Sequence, residues 1–100
     1  MIKHIVMWRV KGTDEGQDPK ESTKIMKEKL ESLIGKIEGL VSLQVGINQN
    51  PGAEAYDITL ITEHLTWDAL QFYQDHPLHK EAGKFIGSVK KARAAVDFEF

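Results

Sequence analysis

Apolar and polar residues alternate along residues 2–10, IKHIVMWRV, and that period of two predicts a strand. Ile2, His4, Val6, Trp8 and Val10 share one face, and Lys3, Ile5, Met7 and Arg9 share the other. Apolar side chains on both faces imply a strand covered on two sides. A polar stretch containing Gly12 and Gly16 follows, and then DPKE reads as a helix start. Asp18 takes the cap, Pro19 the first helical position, and Glu21 the place of a capping-box acid. Met26, Leu30, Leu33, Ile34 and Ile37 recur at helical spacing, with an end expected near Gly35 or Gly39.

LVSLQVGIN predicts a second strand, in which Val41, Leu43, Val45 and Ile47 alternate with Ser42, Gln44 and Gly46. NQNPGAE is a loop with a Pro-Gly turn signal. YDITLITEH is a third strand, with Tyr56, Ile58 and Leu60 on one face and Thr59 and Ile61 on the other. His64 at its end is expected to be exposed. Thr66 caps a helix reaching Gln74, which breaks at His76–Pro77 because a residue before proline avoids the α region. A second helical piece begins at Pro77, with Leu78, Ala82, Phe85, Ile86 and Val89 as its apolar stripe. AAVDFEF then alternates as a last strand that groups Val96, Phe98 and Phe100.

The resulting order is β-α-β-β-α-β with the second helix broken. It predicts an α+β, ferredoxin-like domain: a four-stranded antiparallel sheet with helices on one face. The other face would carry Ile5, Met7, Ile61 and Ala95, or else the set that includes Val6 and Trp8. Either choice leaves apolar groups facing water. A symmetric homodimer pairing sheet against sheet would cover them.

Composition narrows the functional classes. One hundred residues make a single domain, 1–100, whose modest core gains from self-association. The formal charge of −2 gives no reason to expect nucleic acid or an anionic membrane surface as partner. The cluster KKAR at 90–93 reads as a solvated helix end without aromatic stacking platforms. Asp14/Glu15 and Glu28/Glu31 likewise read as solvated faces. With no cysteine there is no disulfide, thiolate metal site or thiol nucleophile. MIKHIVMWRVKG lacks an apolar core and a small-residue cleavage site, so no signal peptide is expected, and no run is long enough to span a membrane. The expected location is the cytoplasm.

Four segments in this order, MIKHIV, GLVSLQVGIN, YDITLITEHLTWDALQFYQDHPLH and AAVDFEF, resemble the stress-responsive A/B-barrel (Dabb) family from end to end, most sharply in KHIV, in the YD that opens the third strand and in YQDHPLH at the helix break. Glu38 stands where family members often have proline. The resemblance implies a dimeric α+β barrel but no single activity. Some plant members are associated with stress tolerance, and one plant branch cyclises polyketides without a cofactor. In that branch a histidine and a tyrosine matching His79 and Tyr73 do acid–base work, and His4 matches another pocket histidine. An aromatic residue and a further histidine of that branch are Leu30 and Asp57 here.

The residues themselves allow several roles. His79 lies in the first turn after Pro77, where the helix dipole disfavours a charged imidazole and leaves a neutral ring able to accept a proton. His79 and Tyr73 are the candidate catalytic pair; His4, Val6, Trp8, Tyr73, His79 and Ile86 are the candidate ligand-binding set. The alternatives are structural: His76 as a junction residue, His79 bonded to backbone, Tyr73 and Trp8 as core, His4 as a strand histidine. His76 and His79 flank a proline without a third metal ligand at a recognisable spacing, so no metal is expected. No phosphate loop or other cofactor signature is present. The expected function is binding of a small apolar or aromatic ligand, or a stress-associated role. The alternatives are a cofactor-independent acid–base enzyme and a structural interaction module.

Overall fold

The computed structural model describes residues 1–12, 16 and 18–100, so the Asp14/Glu15 pair lies outside the described residues. Its elements run β1 (Ile2–Val10), α1 (Pro19–Glu31), β2 (Leu40–Ile47), β3 (Ile58–His64), α2 (Trp67–Asp75), α3 (Pro77–Val89) and β4 (Lys90–Glu99). The strands form one antiparallel sheet in the order β2-β3-β1-β4. This is the ferredoxin-like arrangement expected from the pattern. Among the described residues, no helix is long and apolar enough to cross a membrane.

Local chemistry places the helices. The Asp18 side chain accepts from the Lys20 backbone N–H at 2.7 Å, and Pro19 opens α1. Thr66 Oγ1 accepts from the Ala69 N–H at 3.0 Å to open α2. His76 stays extended before Pro77, and its Nδ1 accepts from the Leu78 N–H at 3.1 Å. One residue thus ends α2 and caps α3, as the HP dipeptide predicts.

The core lies between the helices and one sheet face. Ile2, Val6, Trp8 and Val10 of β1, with Ile58 and Leu60 of β3, pack against Met26, Leu30, Leu70, Ala82, Ile86 and Val89. Gly39 shows how closely the layers approach. Its φ is +85°, and an added Cβ would lie 2.8 Å from Ala69 Cβ in α2. Both the left-handed backbone and the contact require glycine there.

Several expectations change. The α1 helix stops at Glu31 rather than near Gly35 or Gly39, because Leu33 and Ile34 donate to carbonyls three residues back, at 3.1 and 3.2 Å. Tightening to about three residues per turn rotates Ile34 off the core, where it is 55% exposed. Leu78 is also exposed at the rim of α3. In β2 the pairing slips between Leu40 and Ser42, so Val41 is the extra residue of a bulge and turns to solvent. KKAR is the beginning of β4, not a helix end: the Lys90 N–H closes α3 by donating to Ile86 C=O, and the strand starts at that same residue. His64 is fully buried, since it continues the Ile58–Leu60–Thr62 alternation onto the helix side.

The open sheet face carries Ile5, Met7 and Ile61, as expected, but its β4 residues are Ala94 and Val96 rather than Ala95. Val96 pairs with Ile5, while Ala95 pairs with the inward Val6. Val96, Phe98 and Phe100 are 40–55% exposed on this side. The Lys3 ammonium sits 4.7 Å from the centre of the Phe100 ring, and the Arg9 guanidinium 4.5 Å from that of Tyr56.

Candidate functional site

Polar residues collect on the helix-facing side of the sheet near the start of β1. His4 pairs with Thr62 of β3 and with Asp97 of β4, and all three share that face. Asp97 accepts from His4 Nδ1. A carboxylate only accepts, so the His4 proton sits on Nδ1, and in the neutral ring Nε2 keeps its lone pair. His64, one pleat further along β3, shares a 2.8 Å hydrogen bond between Nε2 and the Thr62 hydroxyl.

The helices close over this group. Tyr73 of α2 places its ring centre 4.8 Å from that of His64 and 4.5 Å from that of His79. The His4 ring lies 6.4 Å from both His64 and Tyr73. His64 Nδ1, Tyr73 Oη and His79 Nδ1 are buried polar atoms with no hydrogen-bond partner. Leaving such groups unpaired costs on the order of 1–3 kcal/mol each, and the Gln74 carbonyl offers the His79 ring a backbone acceptor.

Burial also sets the protonation. It pushes the His64 imidazole down to about 4, helped by the nearby His4 and opposed by Asp97. The Tyr73 hydroxyl moves well above its ordinary value for the same reason. His79 is lowered first by burial, with the Gln74 carbonyl opposing and His4, Arg93 and His76 adding to the effect. A neutral His79 was expected from the helix dipole; desolvation is the leading cause.

Beside this cluster lies a cavity of about 160 Å³. His4, Val6, Trp8, His79 and Ile86 all line it, over a floor that includes Leu30 and Leu60. Tyr73 does not line the wall; it sits fully buried, against His79. His76 remains a junction residue with its ring against Phe72. Asp57 turns away from the cavity, its carboxylate accepting from the Val10 N–H at 2.8 Å and its own N–H donating to Trp8 C=O. Among the described residues, no group of three or more His, Asp and Glu side chains is arranged to hold a metal ion.

The sequence pattern left Thr62 and Asp97 out of the candidate set and placed His64 in solvent, where the fold buries it. Each had a signal: Thr62 and His64 continue the inward alternation of their strand, and Asp97 alternates with the outward Val96 and Phe98. Lys90 and Arg93 also line the cavity, and for them the signal was hidden by the misplaced start of the strand.

No curated protein matches the sequence. Among solved structures, a dimeric protein of unknown function and ferredoxin-like fold from Bacteroides fragilis is 36% identical, with a TM-score of 0.84 over 99% of this chain and 95% of that one. A dimeric ferredoxin-like protein of unknown function from Thermobifida fusca is 26% identical, with a TM-score of 0.83 over 99% and 90%. Hydroxynitrile lyase from Passiflora edulis, 13% identical with a TM-score of 0.78 over 97% and 90%, shares the fold alone. The sequence model of the stress responsive A/B barrel domain matches residues 2–100, and the chain belongs to this family, Dabb.

Proposed function

We propose that the protein is a homodimer in which each subunit binds a small, mainly apolar molecule in the cavity beneath α3. The observation that carries this reading is the cavity itself. This cleft of about 160 Å³, open to solvent on the side of Lys90 and Arg93, brings the apolar Val6, Trp8 and Ile86 together with His4 and His79, the mainly apolar lining with a few polar groups that small-molecule sites have. The dimer is supported by the apolar open face and by the dimeric relative at 36% identity. The test is a titration with benzyl alcohol, a neutral single-ring probe, followed by NMR at the Trp8 indole and Ile86 methyls. The expected result is saturable shifts in the native protein, about fivefold weaker binding in His79→Ala from a lost hydrogen bond worth ~1 kcal/mol, and none in Ile86→Trp, which fills the space. Native protein that never shifts would sink the reading.

A second reading places cofactor-independent acid–base chemistry at the same site. It draws on the neutral His79 at the cavity wall, which can accept a proton from a carbon next to a carbonyl. Tyr73 then acts by holding the His79 ring. Deuterium exchange at the α-carbon of a bound aryl ketone, abolished in His79→Ala, favours this reading; binding without exchange leaves the first.

A further inference from the structure

The cavity has a cationic side that comes from an irregularity in β4. Residues three apart in a regular strand point to opposite faces. Lys90 and Arg93 nevertheless share the helix side, because the pairing with β1 slips between Arg9 and Val10: Arg93 pairs with Trp8, Ala92 with Arg9, and Lys90 with Val10. Lys91 is the extra residue of a β-bulge, and bulges re-aim side chains in this way. Both cations line the cavity, and both are exposed at its solvent side.

Nothing among the described residues neutralises them. The Lys and Arg ion pairs there are Lys24–Glu21 and Lys27–Glu31, and no carboxylate lines the cavity. Asp97 lies on the same face as Arg93, four residues further along the strand, and is engaged with His4.

The α3 side, which leads up to Lys90, is kept wide by glycine. Gly83 and Gly87, one turn apart on α3, line the same cavity, and a Cβ added to either would meet nothing within 4 Å. Each forgoes roughly 1 kcal/mol of helix propensity relative to alanine, and packing does not demand it.

We propose that the cavity selects a small organic monoanion, a carboxylate on a single ring or short branched chain, with its carboxylate at Lys90 and Arg93 and its apolar body against Trp8, Val6 and Ile86. The arginine fork matches a carboxylate with two parallel hydrogen bonds, and the lysine adds a point charge. The size fits a single ring, the space being about 160 Å³ and open towards the two cations. This inference rests on the ligand-binding reading and adds the charge of the ligand. It has a spectroscopic consequence as well. The Arg93 charge helps to keep His79 unprotonated, so an anion seated beside Arg93 relieves that effect and makes His79 easier to protonate.

The experiment compares benzoate with benzyl alcohol by calorimetry, with the His79 imidazole followed by NMR across pH. Benzoate is expected to bind native protein about tenfold more tightly, as a charge-assisted hydrogen bond of 1.5–3 kcal/mol allows, and to move the His79 titration upward. In Lys90→Gln/Arg93→Gln the advantage disappears while benzyl alcohol binds as before. Equal affinities in native protein, or an advantage that survives both substitutions, overturn the inference and leave the cavity reading standing. If neither probe binds native protein, the cavity reading fails and takes the inference with it.

Discussion

His64 shows how much a single buried side chain contributes. With its imidazole near 4 in the folded protein and at an ordinary 6.5 in the unfolded chain, the unfolded state binds the extra proton. Stability from this group is therefore fully present above about pH 6.5 and is lost as pH falls towards 4. A shift of this size corresponds to ~3 kcal/mol across that window. Carboxylates titrate there too, so the useful quantity is the difference between native protein and His64→Gln. Urea unfolding at pH 7.5, 5.5 and 4.5 should show a shallower loss in the variant, and parallel profiles would contradict it. The His4–Asp97 contact joins residues 93 positions apart, which no local pattern could pair.

At the level of elements, the most informative one is α3. Its start was legible in HPLH, because proline both forbids the preceding α conformation and suits the first helical turn. Its end was not, because nothing separates it from β4: Lys90 serves as the helix cap and the first strand residue together. Gly83 and Gly87 carry a prediction. Gly83→Ala and Gly87→Ala should each raise stability by about 0.5–1 kcal/mol, or several degrees in a thermal melt, since the added methyl meets open space. The same substitutions narrow the cavity and should weaken probe binding. A melt that falls instead would mean that the α3 wall is packed more tightly than its geometry indicates.

For the whole molecule the open sheet face is decisive. A 100-residue domain with Ile5, Met7, Ile61, Val96 and Phe98 on one outer face has an incomplete core in isolation. Sedimentation at micromolar concentration should find dimers. Val96→Lys, which would bury a charge opposite Ile5, should raise the dissociation constant at least about a hundredfold, corresponding to ~3 kcal/mol. A monomeric native protein would refute the sheet-to-sheet dimer.

Period-two and period-3.6 patterns are local properties of a chain, and they sufficed for the element order, the two caps at Asp18 and Thr66, the break at His76 and the inward faces of β1 and β3. His4, Val6, Trp8, His79 and Ile86 were legible as a set for the same reason, since each sits on an inward face or its edge. What tertiary structure alone decided depends on pairing between distant segments. The two bulges exposed Val41 and turned Lys90 and Arg93 to one side. The approach of α2 to β3 buried His64 and moved Tyr73 behind His79. A one-residue slip in strand register changes which face a side chain occupies, and that slip is set by the partner strand rather than by the residue's neighbours in sequence.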